Sequence, residues 1–346
     1  MALHPWLTVA YTALVQSLDR LPPGLLMLGK PGIGKRELSI ELARVFLCQD
    51  PSLEGYCGNC ERCRSFHQGI VPDFHLLVPE ALELDRPLSD FAGRYLEDGA
   101  SKTKSARSGQ WITISQIRLL IERLATHGHS VGQKVVLIFP ANRLNTNAAN
   151  ALLKILEEPP QQTRFILVSD DRSGIPATIL SRVSEISVKP PQSAVALQWL
   201  VEQGIDAKAA VPLLQAARGG PLLARALHED DYLERQNSWK ILLLKLTDKT
   251  VDPVVMGAAI GKESATDFVT WLEQALCDAI AIGHGKSAGE VLDPSNTDDQ
   301  QLASKLNFKG VWDMISRLQV YLRRQRTSVD EQLFLEDVLI AIWQKV

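Results

Sequence analysis

Residues 29–36 read Gly29-Lys30-Pro31-Gly32-Ile33-Gly34-Lys35-Arg36. Two glycines bracketing four residues and followed by Lys make a phosphate-binding loop, here with its last position changed. That position is ordinarily Ser or Thr, whose hydroxyl holds a magnesium ion against nucleotide phosphates; this chain has Arg36. Gly29, Gly32 and Gly34 let backbone N–H groups converge on a phosphate beside Lys35, with the positive end of the next helix behind them. Leu25–Leu28 is an apolar run entering the loop, as expected of a buried parallel strand. Beyond the loop, Leu38, Leu42 and Val45 recur at helical spacing. A bare turn into a helix shares the short motif, but the strand before it and the helix after it favour a nucleotide cradle.

Further strands are expected at His75–Val78, Lys134–Phe139, Arg164–Val168 and Val183–Val188, separated by helices that include Ile114–His127 and Asn147–Leu156. Alternating strands and helices argue for a parallel α/β sheet. Residues 82–110 break the rhythm with a small, polar, mixed-charge stretch, which reads as a mobile surface insertion. After Lys189-Pro190-Pro191 the strands stop. Apolar stripes at Phe268, Trp271, Leu272, Ala275 and Ala279, at Val311, Ile315, Leu318 and Leu322, and at Leu335, Val338, Leu339 and Ile342 mark helices. The double proline is a domain boundary, and a second joint is expected near Asp230-Asp231.

The 346 residues exceed one ordinary core and suggest two or three domains. A 45% hydrophobic, 22% charged composition is that of a globular chain. No apolar run reaches membrane-spanning length and the first ten residues lack the order of a secretory signal, so a cytoplasmic location is expected. A net charge of −3 excludes a global electrostatic footprint for nucleic acid. Any DNA contact belongs to an assembly rather than to an independent binder.

Four of the five cysteines, Cys48, Cys57, Cys60 and Cys63, fall within sixteen residues. Four thiolates at this spacing suit a closed tetrahedral zinc site with no open position for catalysis. Gly55 and Gly58 permit the tight turns that wrap a short chain round an ion. Disulfides and an iron–sulfur cluster are the competing readings, the first disfavoured in a reducing compartment. Cys277 lies on an apolar helical stripe and reads as a small core residue. No hydrolase triad is visible among the histidines.

A nucleotide hydrolase of this design needs acidic residues at the end of a second strand, to hold the metal and polarise the attacking water. The strand Lys134–Phe139 runs instead into Pro140-Ala141-Asn142. With Arg36, both the hydroxyl ligand and the acid are missing, so no ATP hydrolysis is expected and nucleotide binding is left open.

Asn150-Ala-Leu-Leu-Lys-Ile-Leu-Glu-Glu-Pro-Pro160 and Thr178-Ile-Leu-Ser-Arg182 resemble the clamp-loader branch of the AAA+ ATPases. The cysteine cluster after the phosphate-loop helix narrows the resemblance to the bacterial DNA polymerase III clamp loader, over about residues 1–230. Motor subunits of that family (gamma and tau) carry Asp-Glu where this chain has Phe139 and Pro140, and a sensor arginine where it has Leu222. Those departures, the retained Ser181-Arg182 pair and the opening Pro5-Trp6-Leu7 are similar to the delta prime branch. The resemblance implies a RecA-like α/β AAA+ domain over 1–189 with a zinc module at 48–63, a small helical lid over 190–231, and an all-α collar over 232–346. It further implies a non-catalytic subunit in a heteropentamer with gamma/tau motors and the delta subunit, acting on a sliding clamp and primer–template DNA within the polymerase III holoenzyme. Arg182 is then implied to be an arginine finger, reaching the ATP site of a neighbouring motor. The alternatives are an active gamma/tau-like motor and a stand-alone zinc-containing DNA-binding protein.

Overall fold

The computed structural model describes the chain except for residues 1–2, 97–107, 127–131, 262–263, 286–290, 293–295, 308, 324–329 and 346. It divides into two compact units, 1–191 and 192–346.

The first unit contains α1 (Thr8–Gln16), β1 (Gly24–Leu28), α2 (Lys35–Leu47), α3 (Glu61–His67), β2 (Phe74–Leu77) and α4 (Leu88–Gly93). It continues with α5 (Ile114–Thr126), β3 (Lys134–Ile138), α6 (Thr146–Glu157), β4 (Thr163–Ser169), α7 (Ala177–Leu180) and β5 (Ser184–Ser187). The five strands form one parallel sheet in the order β2-β3-β4-β1-β5. Alternate residues of the inner strands enter two different cores. Leu25, Met27, Val135, Leu137, Ile166 and Val168 face one side, with Leu38, Leu42 and Val45 of α2. Leu26, Val136, Ile138, Phe165 and Leu167 face the other, with Ile117, Leu120, Leu152 and Leu156 of α5 and α6. Burial on both faces is why these strands read as unbroken apolar runs. The edge strand β5 is different: Ser184, Glu185 and Ser187 are exposed.

Two expectations change. Helix α2 is buried almost all round rather than on one stripe, and Glu41 and Arg44 are buried as an ion pair at 2.9 Å. The stretch read as a mobile insertion over 82–110 is in part core. Leu88, Phe91, Ala92 and Tyr95 are buried, and Phe91 lies edge-on to Phe74 with ring centroids 4.8 Å apart. The apolar spacing of this short helix outweighs the polar composition that follows it, while residues 97–107 lie outside the described residues.

The second unit is helical: α8 (Ser193–Glu202), α9 (Ala207–Ala216), α10 (Pro221–Glu229), α11 (Tyr232–Thr247), α12 (Pro253–Ile260), α13 (Ala265–Gly283), α14 (Thr297–Leu306), α15 (Val311–Arg323) and α16 (Glu331–Lys345). One small core gathers Leu200, Leu213 and Ala224 from α8–α10. A larger one surrounds α13, where the rings of Trp239, Phe268 and Trp271 pack edge-on and tilted against one another and α15 and α16 add the expected stripes. Cys277 is half-buried against that larger core rather than fully inside it. Asp231, between α10 and α11, has φ 52°. Among the described residues no helix is long and apolar enough to cross a membrane.

Candidate functional site

The phosphate loop leaves the carboxyl end of β1, the edge of a parallel sheet where ligands are usually held. Gly32 and Gly34 have φ of 69° and 92°, so both occupy left-handed backbone that only glycine adopts freely. Gly34 caps α2, whose first residue is Lys35. A Cβ on Gly29 would lie 2.3 Å from the Val188 carbonyl oxygen, so this glycine is required by packing against the edge strand's end. The indole of Trp6 donates to the Ile33 carbonyl at 2.9 Å, fastening the N-terminal segment over the loop.

The loop's cation is already engaged. The Lys35 side chain is 4% exposed, and Nζ donates to the Lys30 carbonyl at 2.6 Å and to Asp170 Oδ1 at 2.8 Å. Asp170 follows β4 directly and is half exposed. Its carboxylate occupies the ammonium as a bound phosphate oxygen would. Sequence reading missed this residue, although an acid at the end of the strand beside β1 is the available signal. Arg36 bonds Glu37 at 2.9 Å and sits over the Phe139 ring, 6.0 Å from its centroid. The residue in place of the hydroxyl and the residue in place of the acid thus face each other as a cation–π pair. The side chain after this strand is thus an aromatic ring and not a carboxylate.

At the other end of α2, about 20 Å away by helix rise, Cys48, Cys57, Cys60 and Cys63 converge. Sulfur–sulfur separations from Cys48 are 3.5 Å to Cys57, 3.7 Å to Cys63 and 4.0 Å to Cys60. A tetrahedron of 2.3 Å zinc–sulfur bonds has edges of about 3.8 Å, so the donor set fits such an ion. No pair approaches disulfide length. Gly55 and Gly58 have positive φ, 131° and 75°, in the turns that bring Cys57 and Cys60 round to Cys48. Backbone N–H groups support the sulfurs: Cys57 donates to Cys48 Sγ at 3.3 Å and Cys63 to Cys60 Sγ at 3.4 Å. Burial pushes the Cys48 and Cys63 thiols up. Burial also opposes the Cys60 thiolate, but the N–H groups of Gln49 and Cys63 and hydrogen bonds to the neighbouring thiols outweigh it, to about 6. Arg44 ties the module to α2 by stacking 3.7 Å from the Tyr56 ring centroid and bonding His67 at 2.8 Å.

Arg182 lies between α7 and β5. Its carbonyl oxygen sits where a Cβ on Gly24 would be 3.1 Å away, beside the beginning of β1. The phosphate loop follows the end of that strand, and the parallel register pairs Leu25 with Ser184 and Leu28 with Ser187. Arg182 and Lys35 therefore lie beyond opposite ends of the strands, separated by about 15 Å of strand. Arg182 is 32% exposed and forms an ion pair with Glu157, the last residue of α6, which is 48% exposed. Its Nη1 donates to the Thr178 carbonyl at 2.7 Å and to Ser181 Oγ at 3.1 Å.

The family model described as "DNA polymerase III, delta subunit" matches residues 9–192, and "DNA polymerase III, delta subunit, C terminal" matches residues 229–344. The DNA polymerase III subunit delta' of Escherichia coli is 30% identical over 356 residues, covering 99% of this chain and 96% of that protein. The delta' subunit of Pseudomonas aeruginosa is 34% identical over 236 residues, 68% of this chain and 64% of that protein. The subunit tau of Escherichia coli is 30% identical over 173 residues, half of this chain and 22% of that protein. With a parallel AAA+-like sheet, a four-cysteine cluster and near full-length relatives, the chain belongs to the delta prime family of DNA polymerase III clamp-loader subunits.

Proposed function

We propose that this chain hydrolyses no ATP itself and instead offers Arg182 to the nucleotide of a neighbouring motor subunit, where it stabilises charge on the transferring phosphoryl group. The observation that carries the reading is the position of Arg182 at the opposite end of the strands from its own phosphate loop, at the surface and with donors to spare. An arginine so placed cannot serve Lys35's loop and is available to another chain. The loop points the same way, since Asp170 holds Lys35 and Phe139 stands where an acid is needed. Gly29, Gly32, Gly34 and Lys35 are then retained as architecture, and hydrolysis is not among their duties.

In this reading the partners are gamma/tau motors and a delta subunit in a five-membered ring, which acts on the sliding clamp and primer–template DNA. Residues 190–231 serve as the lid and 232–346 as the collar that joins the ring. Cys48, Cys57, Cys60 and Cys63 hold one structural zinc, which when bound neutralises the thiolates and pins the short chain between α2 and α3. The test is a loader reconstituted with Arg182→Ala. Removing a finger costs on the order of a thousandfold at the site it serves, so clamp loading should collapse while assembly is unchanged. Arg182→Lys should rescue poorly, because a point charge lacks the planar fork. Normal loading by Arg182→Ala would leave the chain a structural role only.

A further inference from the structure

A guanidinium has five N–H donors, and three of those on Arg182 are engaged within the chain. Nη1 gives both of its hydrogens to the Thr178 carbonyl and Ser181 Oγ. Nη2 gives one to Glu157 Oε1. Among the described residues, the second Nη2 hydrogen and the Nε hydrogen have no acceptor, and they sit on nitrogens of one plane. Two such donors match two oxygens of a phosphate.

The three contacts differ in what they fix. Thr178 and Ser181 lie within four residues of Arg182 and move with its corner of the chain. Glu157 is 25 residues away, on a helix packed into the core. It alone of the three ties the guanidinium to the body of the domain. Helix stability does not account for it, because a carboxylate in the last turn faces the negative end of the helix dipole and Glu157 is the last residue of α6. Nor does fold stability, since a half-exposed ion pair contributes little.

We propose that Glu157 is a positioning residue for Arg182: it fixes the guanidinium plane through Nη2 and leaves the Nε–H and the other Nη2–H for a phosphate held by a neighbouring chain. The proposal rests on the finger reading above and adds the residue that aims it.

Loaders carrying Arg182→Ala, Glu157→Ala or Glu157→Gln separate the two ideas. The measurements are the clamp-loading rate at saturating ATP and the ATP concentration giving half that rate. A finger acts on the transition state, so its loss lowers the first and leaves the second. Glu157→Ala should slow loading about tenfold, as misplacement of a catalytic group does, with the half-saturating ATP and the melting temperature unchanged. Glu157→Gln keeps the acceptor oxygen and should recover most of the rate. If Arg182→Ala is slow but both Glu157 variants match wild type, the positioning role is overturned and the finger stands. Equal losses in both Glu157 variants would show that charge, not placement, matters, and would also overturn it. A faster Glu157→Ala loader would mean that Glu157 competes with the phosphate, which again contradicts the proposal. A silent Arg182→Ala removes the finger and the positioning role together.

Discussion

Lys35 and Arg182 stand beyond opposite ends of the strands of one sheet and have opposite circumstances. Lys35 is buried, and a carboxylate and a carbonyl of its own chain engage its ammonium. Arg182 is a third exposed, held on one side by Glu157 and Thr178 and open on the other. The residue that would work on the chain's own nucleotide is withdrawn, while the residue that faces outward is kept in order. On the proposed finger reading, a subunit sheds the parts that serve itself and retains the part that serves a neighbour.

The comparison can be sharpened by perturbing what surrounds each cation. The largest effect on stability is expected at the cysteine cluster, which fastens the far end of the phosphate-loop helix. Purified protein should carry one zinc per chain, and Cys60→Ser or a strong chelator should remove it. The melting temperature of the first unit should then fall by several degrees, since metal-binding free energy is folding free energy in such modules. Full metal content and an unchanged melt in Cys60→Ser would refute the four-thiolate site. Because the ligands must be deprotonated, zinc affinity should also weaken as pH falls.

A smaller effect is expected from Asp170→Asn. It leaves a buried ammonium with a neutral partner, at a cost of about 1 kcal/mol after allowing for Asp170's exposure. Urea unfolding should record that loss, and equal stability would mean that Lys35 is not held by charge. The smallest effect should come from nucleotide itself. Isolated protein, free of motor subunits, should give no magnesium-dependent ATP turnover, and Lys35→Ala should not change that background. Turnover that disappears in Lys35→Ala would restore the loop to service.

Much of this arrangement is legible from residue order. The inner strands announce themselves because both faces are buried, which makes Leu25–Leu28 and Lys134–Phe139 unbroken apolar runs. The cysteine set is legible because its ligands are local, within sixteen residues. Less accessible are the contacts that close a long loop. Asp170 meets Lys35 across 135 positions and Glu157 meets Arg182 across 25, and no periodicity encodes either pairing. The helix at Leu88–Gly93 was obscured for a different reason. Its Leu88, Phe91 and Ala92, and Tyr95 just beyond it, have helical spacing, but they adjoin a polar stretch whose composition dominates a wider window. Conversely, β5 reads as a strand from Val183 and Val188, although Ser184, Glu185 and Ser187 between them are exposed and an edge position supplies little apolar signal.

The most direct measurement sets the two cations against each other in one assembly. Loaders built with Lys35→Ala, with Arg182→Ala, or with the unaltered chain should be compared for the rate of placing a sliding clamp on primed DNA. Lys35→Ala should load within about twofold of the unaltered assembly, the range of an ordinary substitution away from a working site. Arg182→Ala should be slower by orders of magnitude with its subunit composition intact. The reverse pattern, a defect in Lys35→Ala and normal loading by Arg182→Ala, would contradict the account.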